Sequence, residues 1–224
     1  YLDTLQVDNF VYLKKPIVDN SVYPCQYSPC LVNYRIMKMS AKRQLLVDTA
    51  LTLFYQQGIN NVGINEILKV SGVAKKTLYS HFSTKDELVL AALKARDERF
   101  LNWLSTELAT AASAKEVVSH PFNALTRWFN DQVPELAPFN GCFFINSSAE
   151  FSDATHPVNQ YCQHHKQAIR TLIKQHLSSD NNELLNMICL LKEGAIVSAF
   201  VVKELDAADK CLELALSYLK TQSS

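Results

Sequence analysis

From residue 40 onward, apolar side chains recur every three or four positions, and that spacing predicts a succession of amphipathic helices. The first runs from Ser40 to Gln57, with Leu46, Ala50, Leu53 and Phe54 inward. Ile64, Ile67, Leu68, Val73, Leu78 and Phe82 then form one buried face spread over two short helices. Between these helices lies Ser71-Gly72-Val73. Its glycine can end a helix with positive φ, and the valine can pack the second helix on the first. Ser83 or Thr84 caps a long helix with Asp86 and Glu87 in its first turn and Leu88, Leu93, Phe100, Trp103 and Leu104 along it towards Ala112. Further helices are predicted at 115–132, 141–151, 157–178, 182–205 and 207–221, with Pro134 and Pro138 bracketing a loop. No stretch keeps strand alternation, and no internal repeat occurs. The predicted fold class is all-α, with an N-terminal three-helix head at 39–84 and a C-terminal helical domain at 85–224.

Residues 1–38 break the pattern. They show no helical period and hold three of the seven prolines and two of the six cysteines, without the basic start, apolar stretch and cleavage site of a signal peptide. Met37 and Met39 stand directly before the first predicted helix. The expectation is that translation starts at one of them and that residues 1–36 come from an over-extended reading frame. The alternative is an arm that reaches a DNA minor groove through Lys14, Lys15, Arg35 and Lys38.

Two short helices joined by a tight turn form a helix-turn-helix, whose second helix lies in the DNA major groove with its N-terminal residues at the base edges. Here Lys75, Lys76, Thr77, Ser80 and His81 point away from the apolar face. The competing reading is a helical hairpin with an ordinary solvated basic face. Lys42 and Arg43, near the start of the first helix, oppose its dipole and are better used on a phosphate, the competing reading being a solvated helix end.

Residues 41–94 resemble the DNA-binding domain of TetR-type (TetR/AcrR) transcriptional regulators. The likeness runs from Ala50-Leu51-Thr52-Leu53-Phe54 and Gly58-Ile59 through Val62-Gly63-Ile64 and Gly72-Val73-Ala74-Lys75. It ends in Thr77-Leu78-Tyr79-Ser80-His81-Phe82-Ser83-Thr84-Lys85-Asp86-Glu87-Leu88. By this resemblance Tyr79 and Lys85 contact phosphates, while Lys75, Lys76, Thr77, Ser80 and His81 face the groove. Gly63 stands where many relatives place a threonine or serine; it can still present bare backbone N–H groups to a phosphate. A second likeness, to the C-terminal domain of one TetR subgroup, lies in Gly141-Cys142-Phe143-Phe144-Ile145-Asn146 and His156-Pro157.

Charge distribution fits a molecule that touches DNA at one end. The whole chain is neutral, but residues 39–94 hold seven Lys/Arg against four acids, and residues 95–224 hold eleven against fifteen. Five glycines in 224 residues leave no phosphate cradle or nucleophile elbow. No apolar run approaches the roughly 20 residues that span a bilayer, so no membrane role is expected. Cys25 and Cys30 lack zinc-ligand company, and Cys142, Cys162, Cys189 and Cys211 fall singly in helical patterns, as suits a reducing cytoplasm. His156, His164, His165 and His176 have no metal-ligand spacing, so neither metal nor cofactor is expected.

In the C-terminal domain, Cys142, Asn146 and Glu150 share a helix face at i, i+4 and i+8. With Phe100, Trp103, Trp128 and Phe129 they form the candidate pocket for a small-molecule effector; the competing reading makes the aromatics plain core and has Asn146 and Glu150 bond neighbouring helices. Leu184, Leu185, Ile188, Leu191, Ala195, Ile196 and Ala199 form an apolar stripe expected to join two copies, unless it packs within one. The reading is a homodimeric repressor released from a pseudo-palindromic double-stranded operator by an effector. The rivals are an activator, a ligand-independent DNA binder and, remotely, an enzyme using Cys142 with a histidine base, for which no orienting third group is evident.

Overall fold

The computed structural model describes residues 41–136, 138–177 and 181–222; the expectations for residues 1–38, including Cys25 and Cys30, lie outside them. The described residues form nine α-helices and no strands: α1 (Ala41–Gln57), α2 (Ile64–Ser71), α3 (Lys75–His81), α4 (Lys85–Leu108), α5 (Ala114–Phe129), α6 (Phe143–Glu150), α7 (Pro157–Gln175), α8 (Asn182–Val197) and α9 (Ala207–Gln222). A 3-10 turn, Pro134–Leu136, precedes α6, and a π-helical turn, Ser198–Val202, prolongs α8.

Local chemistry sets most helix ends. At α4, Thr84 Oγ1 accepts from Glu87 N at 3.2 Å while the Glu87 carboxylate accepts from Ser83 N at 2.6 Å, a reciprocal cap. Ser113 and Glu116 repeat the device at α5. Pro157 opens α7 behind His156, whose Nδ1 accepts from Val158 N at 3.3 Å. Gly72 ends α2 at φ 65°, and its N–H bonds Leu68 O.

The head is α1, α2 and α3 closed on Leu46, Ala50, Phe54, Ile59, Val62, Ile67, Leu78 and Phe82, each at most 2% exposed. Burying one leucine such as Leu78 stabilises by about 2 kcal/mol. Helix α4 leaves this head and becomes the axis of the body, packing against α1, α5, α6 and α7; α9 packs on α5 and α8.

Two expectations about α8 are corrected. The stripe expected to join two copies is almost wholly internal: Leu184, Leu185, Ile188, Ala195, Ile196 and Ala199 are at most 2% exposed within one chain. Apolar groups left on the outside are Leu190 (72%), Val197, Val201 and Val202, with Leu205 and Leu214 nearby. Leu190, Gly194, Val197 and Val201 recur at four, three and four residues, which is one helix face. The stretch Asn182–Val202 is also long and apolar enough to cross a membrane by length and composition, contrary to the sequence reading; 33% of its most apolar window is buried in the fold. It carries the buried Lys192 in an ion pair with Glu193, which argues for a packed helix over a spanning one.

Candidate nucleic-acid interface and effector site

On α3, Leu78 turns fully inward and anchors the helix, so its neighbours must face out. Lys75, Lys76, Tyr79 and Ser80 are exposed; Thr77 and His81 are half-buried. Ser80 Oγ is turned back to Thr77 O at 2.7 Å. The turn that aims α3 is held by Ser71, whose hydroxyl accepts from Val73 N at 3.3 Å, and by the left-handed Gly72. Beside this helix, Lys42 is exposed, and the Arg43 guanidinium sits 4.9 Å from the Phe82 ring centroid, at the far end of α3. Gly63 caps α2 in extended conformation (φ −86°, ψ 158°) without a side-chain bond, and nothing lies within 4 Å of where a Cβ would stand. Thus Lys42, Arg43, Gly63, Lys75, Lys76, Thr77, Tyr79, Ser80 and His81 lie on α3, on the first turn of α1 or at the entry to α2.

Lys85 has a structural duty as well. Its Nζ donates to Ile59 O at 2.6 Å and lies 5.8 Å from the Phe54 ring, bracing the α1–α2 loop from the start of α4.

The loop is gripped from the other side by Glu150. Its carboxylate, at the end of α6, accepts from Ile59 N at 2.8 Å and Asn60 N at 2.6 Å. A Cβ on Gly58 (φ +86°) would stand 3.3 Å from Glu150 Oε1, so the glycine both turns the chain and admits the carboxylate. Nearby, His156 Nε2 lies 3.5 Å from Asp86 Oδ2 on α4. The body therefore holds the head through backbone N–H groups of the loop just ahead of α2 and α3.

Phe100, Trp103, Trp128 and Phe129 do converge, with neighbouring ring centroids 5.1 to 6.1 Å apart and none more than 5% exposed. Phe139 adds a ring 4.9 Å from Trp128. The polar trio expected on α6 is divided among tasks: Cys142 Sγ accepts from Lys166 Nζ at 3.4 Å, Asn146 Nδ2 donates to Asn140 O at 3.2 Å, and Glu150 binds the head.

Five polar residues that the sequence pattern does not place inside are buried: Arg96, Asp97, Ser147, His165 and Lys192. A signal for the first two existed, because Leu93, Arg96, Asp97, Phe100 and Leu104 follow the inward spacing of α4. Asp97 receives Tyr161 Oη at 2.9 Å and His165 Nδ1 at 2.6 Å; the His165 ring stacks on Phe144, and burial pushes its imidazole down to about 4 despite the carboxylate. Glu193 lies between Lys166 and Lys192, whose charges outweigh burial together and hold its carboxyl at about 2. Between α6 and α7 a cavity of about 360 Å³ is lined by Phe144, Ser148, Ser152, Asn159, Cys162, Gln163 and Lys166. Burial pushes the Cys162 thiol there up to about 12. Among the described residues, no group of three or more His, Cys, Asp or Glu could hold a metal ion.

Residues 46–92 match the family model of the bacterial regulatory proteins of the tetR family. The biofilm operon icaADBC negative transcriptional regulator IcaR of Staphylococcus epidermidis is 25% identical over 157 residues, 66% of this chain and 78% of its own length. The transcriptional regulator AcrR of Shigella flexneri is 44% identical over 46 residues, 20% of this chain and 21% of its own. The crystal structure of a TetR-family transcriptional regulator from Streptomyces coelicolor superposes with a TM-score of 0.72 at 26% identity, covering 82% of this chain and 96% of that one.

Proposed function

We propose that this chain, a TetR-type transcriptional regulator by family, is a cytoplasmic homodimeric repressor that leaves a pseudo-palindromic operator when a small molecule binds its helical body. The observation that carries this reading is α3: one buried leucine fixes the helix while Lys75, Lys76, Tyr79 and Ser80 stand exposed on it. Two copies related by a two-fold axis present two such helices to successive major grooves. The outward stripe Leu190, Gly194, Val197 and Val201 supports the pairing, since that much exposed aliphatic surface calls for a partner, and Gly194 lets a second helix approach closely. Repression as the sign of control draws on IcaR, a negative regulator by name.

Control requires that an effector bind one head position better than another. Glu150 supplies the physical link: α6 belongs to the body, and its last side chain holds the loop that precedes α2 and α3. Any effector that shifts α6 drags or releases that loop. Lys85 retains two further N–H donors for a phosphate beyond the one given to Ile59.

Binding of Lys42→Ala and Lys76→Ala to a selected operator over a range of salt concentrations tests the division of labour. Lys42→Ala is expected to weaken all sequences alike and to reduce the salt slope by about one unit, whereas Lys76→Ala is expected to change sequence preference. Unchanged preference in Lys76→Ala, together with unchanged slope in Lys42→Ala, overturns the assigned interface.

A further inference from the structure

Arg96 is a cation in the wrong place. It lies on α4, 3% exposed, flattened between the Tyr55 ring at 4.5 Å and the Trp128 ring at 5.8 Å. One arm of the guanidinium, Nη1, donates to Leu136 O. Among the described residues the other arm, Nη2, is buried without a hydrogen-bond partner, and so is the indole Nε1 of Trp128. The neighbouring carboxylate does not serve it: Asp97 is committed to Tyr161 and His165.

An arginine stays charged even where burial disfavours it, and the surroundings here do lower its pKa by desolvation. Such a charge, lacking a carboxylate counter-ion among the described residues, is costly. The two unpartnered groups are both donors and belong to neighbouring side chains. Their complement is an acceptor-only group with two oxygens, flat enough to share the space beside two rings. A carboxylate has those properties, and arginine matches it in its own plane. The rings packed around them are Phe100, Trp103, Phe129 and the half-buried Phe139.

We propose that Arg96 and Trp128 anchor the carboxylate of a small organic acid whose apolar body lies against the surrounding rings. This rests on the effector reading above and gives it a chemical class: an anionic, monocarboxylic effector of aromatic or aliphatic body, with neutral analogues excluded. Phe139 packs with its ring 4.9 Å from Trp128, so the occupant must displace it to reach the two donors.

Calorimetry and thermal unfolding of the full chain with benzoate, octanoate and the uncharged benzamide test the proposal. One of the two acids is expected to bind saturably and raise the unfolding midpoint, with benzamide at least tenfold weaker. Trp128→Phe keeps the ring and loses the N–H, and is expected to weaken the acid about tenfold. Arg96→Met is expected to abolish binding; should that variant not fold, Trp128→Phe carries the test. Phe139→Ala is expected to tighten binding by removing the ring in the way. Neither acid binding, benzamide binding equally well, or Trp128→Phe binding as wild type each overturns it. Operator binding is measured on the same samples. Specific DNA binding without acid binding removes this site and leaves the regulator reading. Acid binding that leaves operator affinity unchanged keeps the site and removes its role as effector site.

Discussion

Replacing Glu150 with alanine removes the one side chain by which the end of α6 holds the α1–α2 loop. Its carboxylate accepts two backbone N–H groups, from Ile59 at 2.8 Å and Asn60 at 2.6 Å. Hydrogen bonds to a charged group contribute about 1.5 to 3 kcal/mol each. The carboxylate is half-exposed, so water would take over part of its work, and the pair together is worth on the order of 2 kcal/mol, a factor of about 30 in a local equilibrium. Amide hydrogen exchange reads that equilibrium directly, because the acceptor covers those two N–H groups. In Glu150→Ala, exchange at Ile59 and Asn60 is expected to rise roughly 30-fold, with exchange in α8 unchanged. Glu150→Gln is expected to fall between, since an amide oxygen can accept from one N–H but its NH2 then faces the other donor. On the proposed function, the same variants should loosen the coupling between effector and operator while leaving intrinsic effector affinity nearly intact. Unchanged exchange at both amides in Glu150→Ala refutes the grip and, with it, the assigned route from body to head.

Three further outcomes are expected. Gly72→Ala meets open space but must hold φ 65°, which costs about 1 kcal/mol and should lower the melting temperature by roughly 2 to 4 °C; an unchanged melt would show that the turn relaxes. Leu190→Glu, at a site 72% exposed in one chain, should leave the fold intact yet convert the proposed dimer to monomer in light scattering, and a persistent dimer moves the interface elsewhere. His165 is held near 4 in the fold against an ordinary 6.5, so below pH 6.5 the unfolded chain takes a proton that the folded chain refuses. Stability is therefore complete above pH 6.5 and falls towards pH 4, by about 2 kcal/mol between pH 7 and pH 5 for this group, and urea titrations of wild type against His165→Gln should show that slope flattened in the variant.

What the sequence revealed was local. The cap at Thr84 and Glu87, the Ser71-Gly72-Val73 turn and the outward set on α3 depend on residues within a few positions of each other, and their period or chemistry is visible in one window. What stayed hidden was long-range or broke a rule of thumb. Glu150 meets a loop 91 residues away, and no spacing within α6 reveals that partner. Arg96 and Asp97 occupy inward positions of α4, but charged residues ordinarily belong outside, so the apolar members alone do not reveal them. On α8 the apolar residues surround the helix, and periodicity does not tell which face the chain covers itself. The buried face proved to be Leu184, Leu185, Ile188 and Ala195, with Leu190, Val197 and Val201 outside. Helix ends also drifted where no cap marks them: α4 stops at Leu108 where the pattern ran on towards Ala112.

Whether α3 reads a specific DNA site as one of a two-fold pair is decided by titrating the protein against duplex DNA from its own upstream region. The titration is run at two salt concentrations with excess nonspecific competitor. Competitor-resistant binding of two chains per site is expected, weakening linearly in log–log form as salt rises. Binding that vanishes under competitor, or saturates at one chain per duplex, contradicts it.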